Sequence, residues 1–502
     1  MPSDLTPPLV KTETERQFDE QRRRVGIVVG PLAFLLVLAW PFDLLTPEAH
    51  RLAAVLSLVI VFWITEALPL AVTSLLGPSL AIVLQVAPAG LTFRPFASPT
   101  IFLFIGSFIL AQALFVHRVN ERVAFGVLSL KIVGARPARI LIAYGLLAAF
   151  LSAWMSNTAT AAMLVPIGVS LIKFMESASN IPKKYGTTLM LMTTYCCSRG
   201  GMATPVGTPP NLIAVGMISD QLDTRITFVQ WMLFSVPIVL VLLAIVFVYL
   251  NWVGQTGIDE IPGTEKIIAE RKAALGPWRR GEINALLAFG VTVALWVGPG
   301  LLALILGREH PFAVSVLASV PESVAAMSGV VLLFLLPRSE TERSTITWKQ
   351  AAQIDWGTIL LFGGGLSLGA LAASTGLAQV VGEGITGLVP TNEVATLTFA
   401  AALFTVVLSE TMSNTAATNI AIPIVMSIAL ASGVNPIIPS VAAALSASVA
   451  DALPVSTPPN AIVYATGRVK ITDMIRYGIV MDVLAVTLVP ALVLLIAPIF
   501  LG

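Results

Sequence analysis

The sequence FLSAWMSNTAT at residues 150–160 recurs as VLSETMSNTAA at residues 407–417. Downstream of each copy stands a second shared motif, TPVGTPPN at 204–211 and LPVSTPPN at 453–460. Both pairs lie inside long apolar stretches, where runs of Ser, Asn, Thr and Pro interrupt the hydrophobic pattern. Motif pairs that recur in the same order indicate an internal repeat.

A third, weaker pair precedes these motifs, IFLFIG at 101–106 and ILLFGG at 359–364. The spacings between partners are 364 − 106 = 258, 413 − 156 = 257 and 460 − 211 = 249 residues. Three ordered matches at nearly one spacing predict that the chain is built from two related halves.

The composition is that of a membrane protein. Of the 502 residues, 56% are hydrophobic and only 11% are charged, whereas a soluble domain has about 25% charged residues. Lipid must therefore solvate most of the surface. The net charge of +1 predicts no nucleic-acid partner. Neither a His-Glu-x-x-His metal motif nor a phosphate-binding Gly-x-x-x-x-Gly-Lys loop occurs, so we predict no enzyme activity and no cofactor.

The apolar stretches predict the membrane spans. Stretches of spanning length lie near residues 25–45, 50–67, 69–91, 139–173, 186–218, 228–252, 283–306, 311–337, 393–431, 435–467 and 474–501. Two further stretches, 98–118 and 358–390, are rich in Gly, Ser and Ala and are predicted to be re-entrant hairpins. The predicted fold is an all-α polytopic membrane protein with two re-entrant hairpins, broken helices and about 11 transmembrane segments.

The distribution of Lys and Arg predicts how the two halves are oriented. The arginines at 22–24 keep an uncleaved N-terminus in the cytoplasm, with the chain in a bacterial-type inner membrane. Basic residues surround the predicted hairpin at 98–118, but none occurs between Lys349 and Arg468. The two hairpins should open to opposite sides, which is an inverted-topology repeat.

These boundaries predict six segments. They are a cytoplasmic tail (1–24), N-terminal scaffold helices (25–92), repeat 1 (93–253), a cytoplasmic amphipathic linker (254–282), scaffold helices of the second half (283–350) and repeat 2 (351–502).

Broken helices explain the residue types in the motifs. Ser, Asn and Thr favour local hydrogen bonds over helix interiors, and prolines remove N–H donors. Where a helix breaks, freed carbonyls and hydroxyls can bind a hard cation such as Na⁺, while helix N-termini face an anion. A single such motif is more often a packing group or a kink. Four motifs paired across a repeat instead predict one central site, where unwound backbone exposes Gly207, Thr208, Ser456 and Thr457.

The paired Ser-Asn-Thr and Thr-Pro-Pro-Asn motifs resemble those of the divalent anion:sodium symporter family of di- and tricarboxylate transporters. TEALPL at 65–70 resembles an early signature of that family, and the resemblance extends from about residue 60 to the end. It implies a homodimer in which the early helices of each half form a scaffold, while hairpins and broken helices move as an elevator. It also implies secondary active transport of C4-dicarboxylates such as succinate, malate or fumarate by Na⁺ symport.

The resemblance assigns binding roles position by position. It assigns the substrate carboxylates to Ser156, Asn157, Thr158, Thr208, Ser413, Asn414, Thr415, Thr457 and Pro458. It assigns the first Na⁺ to Ser152, Ser156, Asn157 and Gly207, and the second to Ser409, Met412, Asn414 and Ser456. The second half offers no Lys or Arg to the substrate, which favours cation coupling over a basic pocket.

Two ionisable residues depart from the family pattern, Arg199 and Asp451, and such residues inside a membrane are costly and often functional. One hypothesis is that Arg199 supplies fixed positive charge near the first cation site and permits Na⁺-independent exchange. The alternative is an Arg199–Asp451 pair, or an Arg199 that reaches the aqueous interface. Glu410 matches the family pattern and is predicted to be a buried structural carboxylate.

Several functions stay open on the sequence alone. Within transport, the alternatives are a Na⁺-independent dicarboxylate exchanger and a citrate or sulfate carrier. Outside it, an ion channel would differ from a carrier by a conductance far above carrier turnover.

Overall fold

The computed structural model describes residues 13–179, 181–307, 309–386 and 393–501, and within these ranges the regular elements are all helices. The first half contains α1 (Glu13–Ala39), α2 (Pro47–Thr65), α3 (Leu70–Val83), α4 (Ala89–Phe93), α5 (Pro99–Val116), α6 (Val119–Leu128), α7 (Pro137–Ser152), α8 (Asn157–Ala178), α9 (Lys183–Met202), α10 (Pro209–Leu222), α11 (Phe228–Val253) and α12 (Thr264–Ala274).

The second half continues with a further set of helices. They are α13 (Arg280–Leu306), α14 (Pro311–Ser319), α15 (Glu322–Leu335), α16 (Trp348–Ala351), α17 (Trp356–Ser374), α18 (Leu377–Thr386), α19 (Val394–Thr411), α20 (Asn414–Ala431), α21 (Ile437–Ala447), α22 (Pro458–Ala465) and α23 (Ile471–Leu501). Residues 1–12 of the predicted cytoplasmic tail lie outside the described residues. The predicted all-α polytopic fold is confirmed.

Helices α7 and α8 form an antiparallel hairpin with its tip at 153–156. The Tyr144 hydroxyl donates to the Leu164 carbonyl at 2.6 Å, and these two residues lie at equal distances along the chain from the tip. The base of the hairpin faces the linker that carries α12, because the Ile261 N–H donates to the Ala135 carbonyl at 2.9 Å. This hairpin therefore enters the membrane from the linker side.

Helices α19 and α20 form a second hairpin, which enters from the opposite side. Helix α17 starts on the linker side, because Thr345 just before it accepts a hydrogen bond from the His117 ring at 2.8 Å, and His117 packs on Gly281 at the end of the linker. The 19 residues of α17 extend over about 28 Å, so α18 lies at the far face. Gly382 of α18 contacts the Ser427 carbonyl near the base of the second hairpin. The predicted inverted repeat is confirmed.

Eleven passages across the membrane can be followed through the described ranges, besides the two hairpins. They are α1, α2, α3, α5, α9 with α10, α11, α13, α15, α17, α21 with α22, and α23. By length and apolarity alone, nine described helices could span by themselves, or ten if the bent pair α14–α15 is one span. The short α3 and the two broken spans are completed by their neighbours, in agreement with the predicted number of about 11.

The positions predicted for the two hairpins are wrong. The stretch 98–118 is the single helix α5, and 358–390 contains the spanning helix α17 followed by α18, with 387–390 outside the described residues. The hairpins are instead α7–α8 and α19–α20, which the sequence predicted as the single spans 139–173 and 393–431. The small residues in α5 and α17 serve close helix packing, since Gly106 lies against Ala326.

The largest buried cluster lies between the two repeats. It combines Tyr144 and Tyr195 from the first repeat with Val441, Met481 and Val489 from the second. The tips of the hairpins and the breaks of the spans α9–α10 and α21–α22 are attached to this common core, which fixes their relative positions.

Candidate functional site

The two hairpin tips have the same local geometry. Ser156 is the N-cap of α8, and its hydroxyl oxygen accepts a hydrogen bond from the Ala159 N–H at 3.2 Å. Ser413 is the N-cap of α20 and accepts from the Ala416 N–H at 3.3 Å. The backbone angles of the two serines are −61° and 140° against −60° and 137°. Each capped helix thus begins in the membrane interior with its N–H groups directed at the tip.

Each tip also holds a serine–asparagine pair. The Ser152 hydroxyl donates to Asn157 Oδ1 at 2.5 Å in the first repeat. Ser409 and Asn414 make the same contact at 2.6 Å in the second, and the Ser409 hydroxyl also contacts the Ala447 carbonyl at 2.6 Å. The arrangement concentrates hydroxyl, amide and backbone oxygens, which are ligands suited to hard cations. The predicted pairs Ser152–Asn157 and Ser409–Asn414 are therefore brought together.

The asparagine of each Pro-Pro-Asn motif closes the break in its span. Asn211 donates from Nδ2 to the Gly201 carbonyl at 2.9 Å and to the Thr204 carbonyl at 2.7 Å. Asn460 makes the two equivalent bonds at 3.2 and 2.9 Å. The prolines occupy the first positions of α10 and α22, where their missing N–H groups leave no helical bond unmade. The breaks are thus held as defined loops.

The first tip packs directly on the first break. A Cβ atom on Gly201 would lie 2.6 Å from Asn157 Oδ1, and one on Gly207 would lie 3.0 Å from the Ala153 carbonyl oxygen. The Thr204 hydroxyl donates to the same Ala153 carbonyl. The glycines are required because only backbone fits between tip and break. Gly207 therefore lies beside the Ser152–Asn157 pair, as the sequence predicted.

The second tip is joined to its break through Glu410. Ser456 donates from its hydroxyl to Glu410 Oε2 at 2.8 Å, and the Ala452 N–H donates to Oε1 at 3.1 Å. Met412 is buried and has extended backbone, with φ −148° and ψ 178°. The predicted ligands Ser409, Met412 and Ser456 therefore lie around one tip, and Glu410 holds it to the break.

The other predicted residues lie at the starts of the four interior helices. Thr158 and Thr415 belong to the first turns of α8 and α20, Thr208 is the N-cap of α10, and Thr457 is the N-cap of α22 and accepts from the Asn460 N–H at 3.3 Å. Pro458 is the first residue of α22. Helix α8 packs on α22, and α10 packs on α20, so each hairpin contacts the broken span of the other repeat.

Arg199 and Asp451 form an ion pair between the repeats. The Arg199 Nη1 atom contacts Asp451 Oδ2, and the side chains are 2% and 0% exposed. The interpretation in which Arg199 reaches the aqueous interface is therefore wrong, whereas the predicted pair is present. The Arg199 guanidinium also lies 5.6 Å from the centre of the Tyr195 ring. Its charge is balanced inside the protein rather than offered to a ligand.

Asp482 was missed on the sequence. It lies on α23 and is 8% exposed, and its Oδ1 atom accepts a hydrogen bond from the Asp451 N–H at 3.0 Å. The available signal was an acidic side chain within the apolar run 474–501, a rare event in a spanning helix.

An inverted repeat with broken spans and paired oxygen-rich tips defines a multi-pass membrane transporter. The family described as "Sodium:sulfate symporter transmembrane region" matches residues 22–500, and the chain belongs to this family. The predicted resemblance to the divalent anion:sodium symporters is thereby confirmed.

Relatives and solved structures agree with this assignment. The chain is 33% identical over 497 residues to the "Sodium-dependent dicarboxylate transporter SdcS" of Staphylococcus saprophyticus, which covers 95% of this chain and 92% of that protein. The protein of the same description from Staphylococcus aureus MRSA252 is 32% identical over 490 residues, with the same coverage. Neisseria gonorrhoeae MtrF and the Alcanivorax borkumensis YdaH transporter share the fold, each with a TM-score of 0.55 and 14% identity. The matched regions cover 92% and 95% of this chain, and 97% of each structure.

Proposed function

We propose that this chain is a secondary active transporter that couples Na⁺ to the uptake of C4-dicarboxylates such as succinate, malate or fumarate. The observation that carries the proposal is the duplicated serine–asparagine pair, one at each of two tips that enter from opposite faces. The relatives that bear the description of sodium-dependent dicarboxylate transporters support the same substrate and coupling ion.

The cation sites of the proposal use neutral oxygen atoms. The Ser152–Asn157 pair contributes hydroxyl and amide oxygens, and the nearby break contributes backbone carbonyls. Na⁺ suits such a site because it is a hard cation, and broken membrane helices bind Na⁺ through unwound carbonyls. The proposed ligands are Ser152, Ser156, Asn157 and Gly207 for the first ion, and Ser409, Met412, Asn414 and Ser456 for the second.

The anion site of the proposal uses helix N-termini and hydroxyl donors. The Ser156 and Ser413 oxygens already accept backbone N–H groups, so each hydroxyl proton is free to point at a substrate oxygen. The helices that begin at these serines add partial positive charge. A donor at the tip of each hairpin matches a molecule with a carboxylate at each end. The proposed substrate contacts are Ser156, Asn157, Thr158, Thr208, Ser413, Asn414, Thr415, Thr457 and Pro458.

Elevator motion and a homodimer complete the proposal. The hairpins and broken spans pack on one another, which suits a unit that moves as one body. The helices in segments 25–92 and 283–350 would form the scaffold and the dimer contact. Basic residues at 22–24 and in the linker at 254–282 support an N-terminus in the cytoplasm of a bacterial-type inner membrane.

Na⁺-independent exchange is the less favoured alternative. It required that Arg199 supply a net positive charge to the site, but Asp451 neutralises that charge. A citrate or sulfate carrier uses the same tip chemistry and is separated from the main proposal by experiment.

The test is uptake of labelled succinate into proteoliposomes of the purified protein. We expect uptake with an inward Na⁺ gradient and little when choline replaces Na⁺. Unlabelled malate and fumarate should compete, whereas citrate and sulfate should compete weakly. Equal uptake in Na⁺ and choline would contradict coupling, and stronger competition by citrate or sulfate would contradict the substrate assignment.

A further inference from the structure

Three buried acidic side chains surround the second break, with one basic partner. Asp451 is paired with Arg199. Glu410 lies on α19 and Asp482 on α23, and successive backbone amides of the break bind them, the Asp451 N–H to Asp482 Oδ1 at 3.0 Å and the Ala452 N–H to Glu410 Oε1 at 3.1 Å. The Glu410 and Asp482 carboxyl groups are in hydrogen-bonding contact. Helix α23 comes this close because Gly478 presents no side chain to Ala452.

Two carboxyl groups in contact cannot both be ionised in an apolar interior. The only guanidinium at this place is already paired with Asp451, and no Lys or Arg occurs between residues 350 and 467. The other ionisable groups that face the cluster are the neutral phenols Tyr195 and Tyr249. One proton must therefore lie between Glu410 and Asp482.

The hydrogen bonds identify which residue carries this proton. Both Glu410 oxygens are acceptors, Oε1 from the Ala452 N–H and Oε2 from the Ser456 hydroxyl. A carboxylate accepts on both oxygens, whereas a carboxylic acid donates from one of them. Asp482 accepts on Oδ1 only, so its other oxygen is free to carry the hydrogen that Glu410 accepts. Glu410 is thus the carboxylate and Asp482 the neutral acid.

We propose that Asp482 is a positioning residue of the second cation site: as a neutral carboxylic acid it donates a hydrogen bond to Glu410, and Glu410 in turn holds Ser456 at the tip. Asp482 touches neither substrate nor ion. It acts through Glu410, which binds both the hairpin side and the break side of the site. This inference rests on the proposed function, because it assigns a support to the Na⁺ site defined there.

The first test compares a donor with a non-donor at residue 482 in proteoliposome uptake. Asp482→Asn keeps an N–H donor to Glu410 and should leave the Na⁺ concentration for half-maximal uptake within about twofold of wild type. Asp482→Leu removes the donor and should raise that concentration about tenfold or more, with a smaller effect on the maximal rate. The matched control is Asp473→Asn, in the first turn of the same helix. Equal effects of Asn and Leu, or no effect of Leu, would overturn the proposal.

A second measurement does not depend on transport. Infrared spectroscopy of the purified protein should contain a carboxylic-acid C=O band that Asp482→Asn removes and Asp473→Asn leaves in place. A band that persists in Asp482→Asn would overturn the protonation of Asp482, whatever the uptake result. If wild type retains this band but takes up no succinate with Na⁺, the proposed function fails while the neutral acid stands. Melting temperatures of all variants separate loss of folding from loss of Na⁺ affinity.

Discussion

The guanidinium of Arg199 in the first repeat is paired with the carboxylate of Asp451 in the second, and both side chains are removed from solvent and lipid. The two residues do not occupy equivalent positions. With the offset of 249 between the Pro-Pro-Asn motifs, Arg199 corresponds to Ser448, and Asp451 corresponds to Met202. The pair therefore joins the repeats through a feature that breaks their symmetry.

We predict that this pair stabilises the protein only as a pair. Arg199→Met or Asp451→Leu alone leaves one buried charge without its partner and should cost about 3–5 kcal/mol, whereas the double variant should recover most of this loss. The measurement is the melting temperature of the purified protein in detergent. As a control, Glu176→Gln removes a half-exposed pair with Arg468 and should cost no more than about 1 kcal/mol. A double variant as unstable as the sum of the single variants would refute pairing as the reason.

We predict that Arg199 does not replace a transported cation. Because Asp451 balances its charge, the Arg199→Met, Asp451→Leu double variant should keep uptake that depends on Na⁺. Uptake in proteoliposomes over a range of Na⁺ concentrations measures this. A change from Na⁺-independent exchange in wild type to Na⁺-dependent uptake in the variant would instead support the fixed-charge hypothesis.

We predict that the serine hydroxyls at the two tips set Na⁺ affinity. Ser152→Ala removes the donor that orients Asn157, and Ser409→Ala does the same for Asn414. Loss of about 1.4 kcal/mol corresponds to a tenfold higher Na⁺ concentration for half-maximal uptake. Ser177→Ala is the control, because its hydroxyl bonds only the Phe174 carbonyl at the outer end of α8. Unchanged Na⁺ dependence in both tip variants would contradict the proposed cation sites.

We predict that Gly201→Ala abolishes most uptake while the protein still folds. The added methyl group would lie 2.6 Å from Asn157 Oδ1 and must displace the tip or the break, at a cost of about 1–3 kcal/mol. Gly126→Ala is the matched control in another helix, where no atom lies within 4 Å of the added methyl. Uptake and melting temperature are compared for the two variants. Normal uptake by Gly201→Ala would show that tip and break need not touch.

The repeat and its motifs could be predicted because they are periodic in the sequence, but the position of the hairpins could not. Two hairpin arms joined by three or four residues form one continuous apolar stretch, as in 139–173, and this is indistinguishable from a single long span. Conversely, Gly364 in α17 suggested re-entrant backbone, although it only lets Ser74 of α3 approach. Hydropathy records which segments are buried in the membrane and not where the chain turns.

The site residues were predictable where they belong to a paired motif, and the support around them was not. Ser152–Asn157 and Ser409–Asn414 recur together at the same spacing, so the repeat itself identified them. Asp482 belongs to no motif, and only the contact of α23 with the second break gives it a role. The Arg199–Asp451 pair was open on the sequence because 252 residues separate its members, from 451 − 199.

That separation has a consequence for how the protein is made. At about 5–20 residues per second, the ribosome completes Arg199 roughly 13–50 s before Asp451 exists. During this interval the guanidinium has no carboxylate, and its burial in lipid would be costly. The first repeat is therefore inserted in an unfinished state, with this arginine waiting near water or headgroups. Only the arrival of the second repeat lets α9 settle at its final depth, so biogenesis of the two halves is ordered in time although their architecture is nearly symmetric.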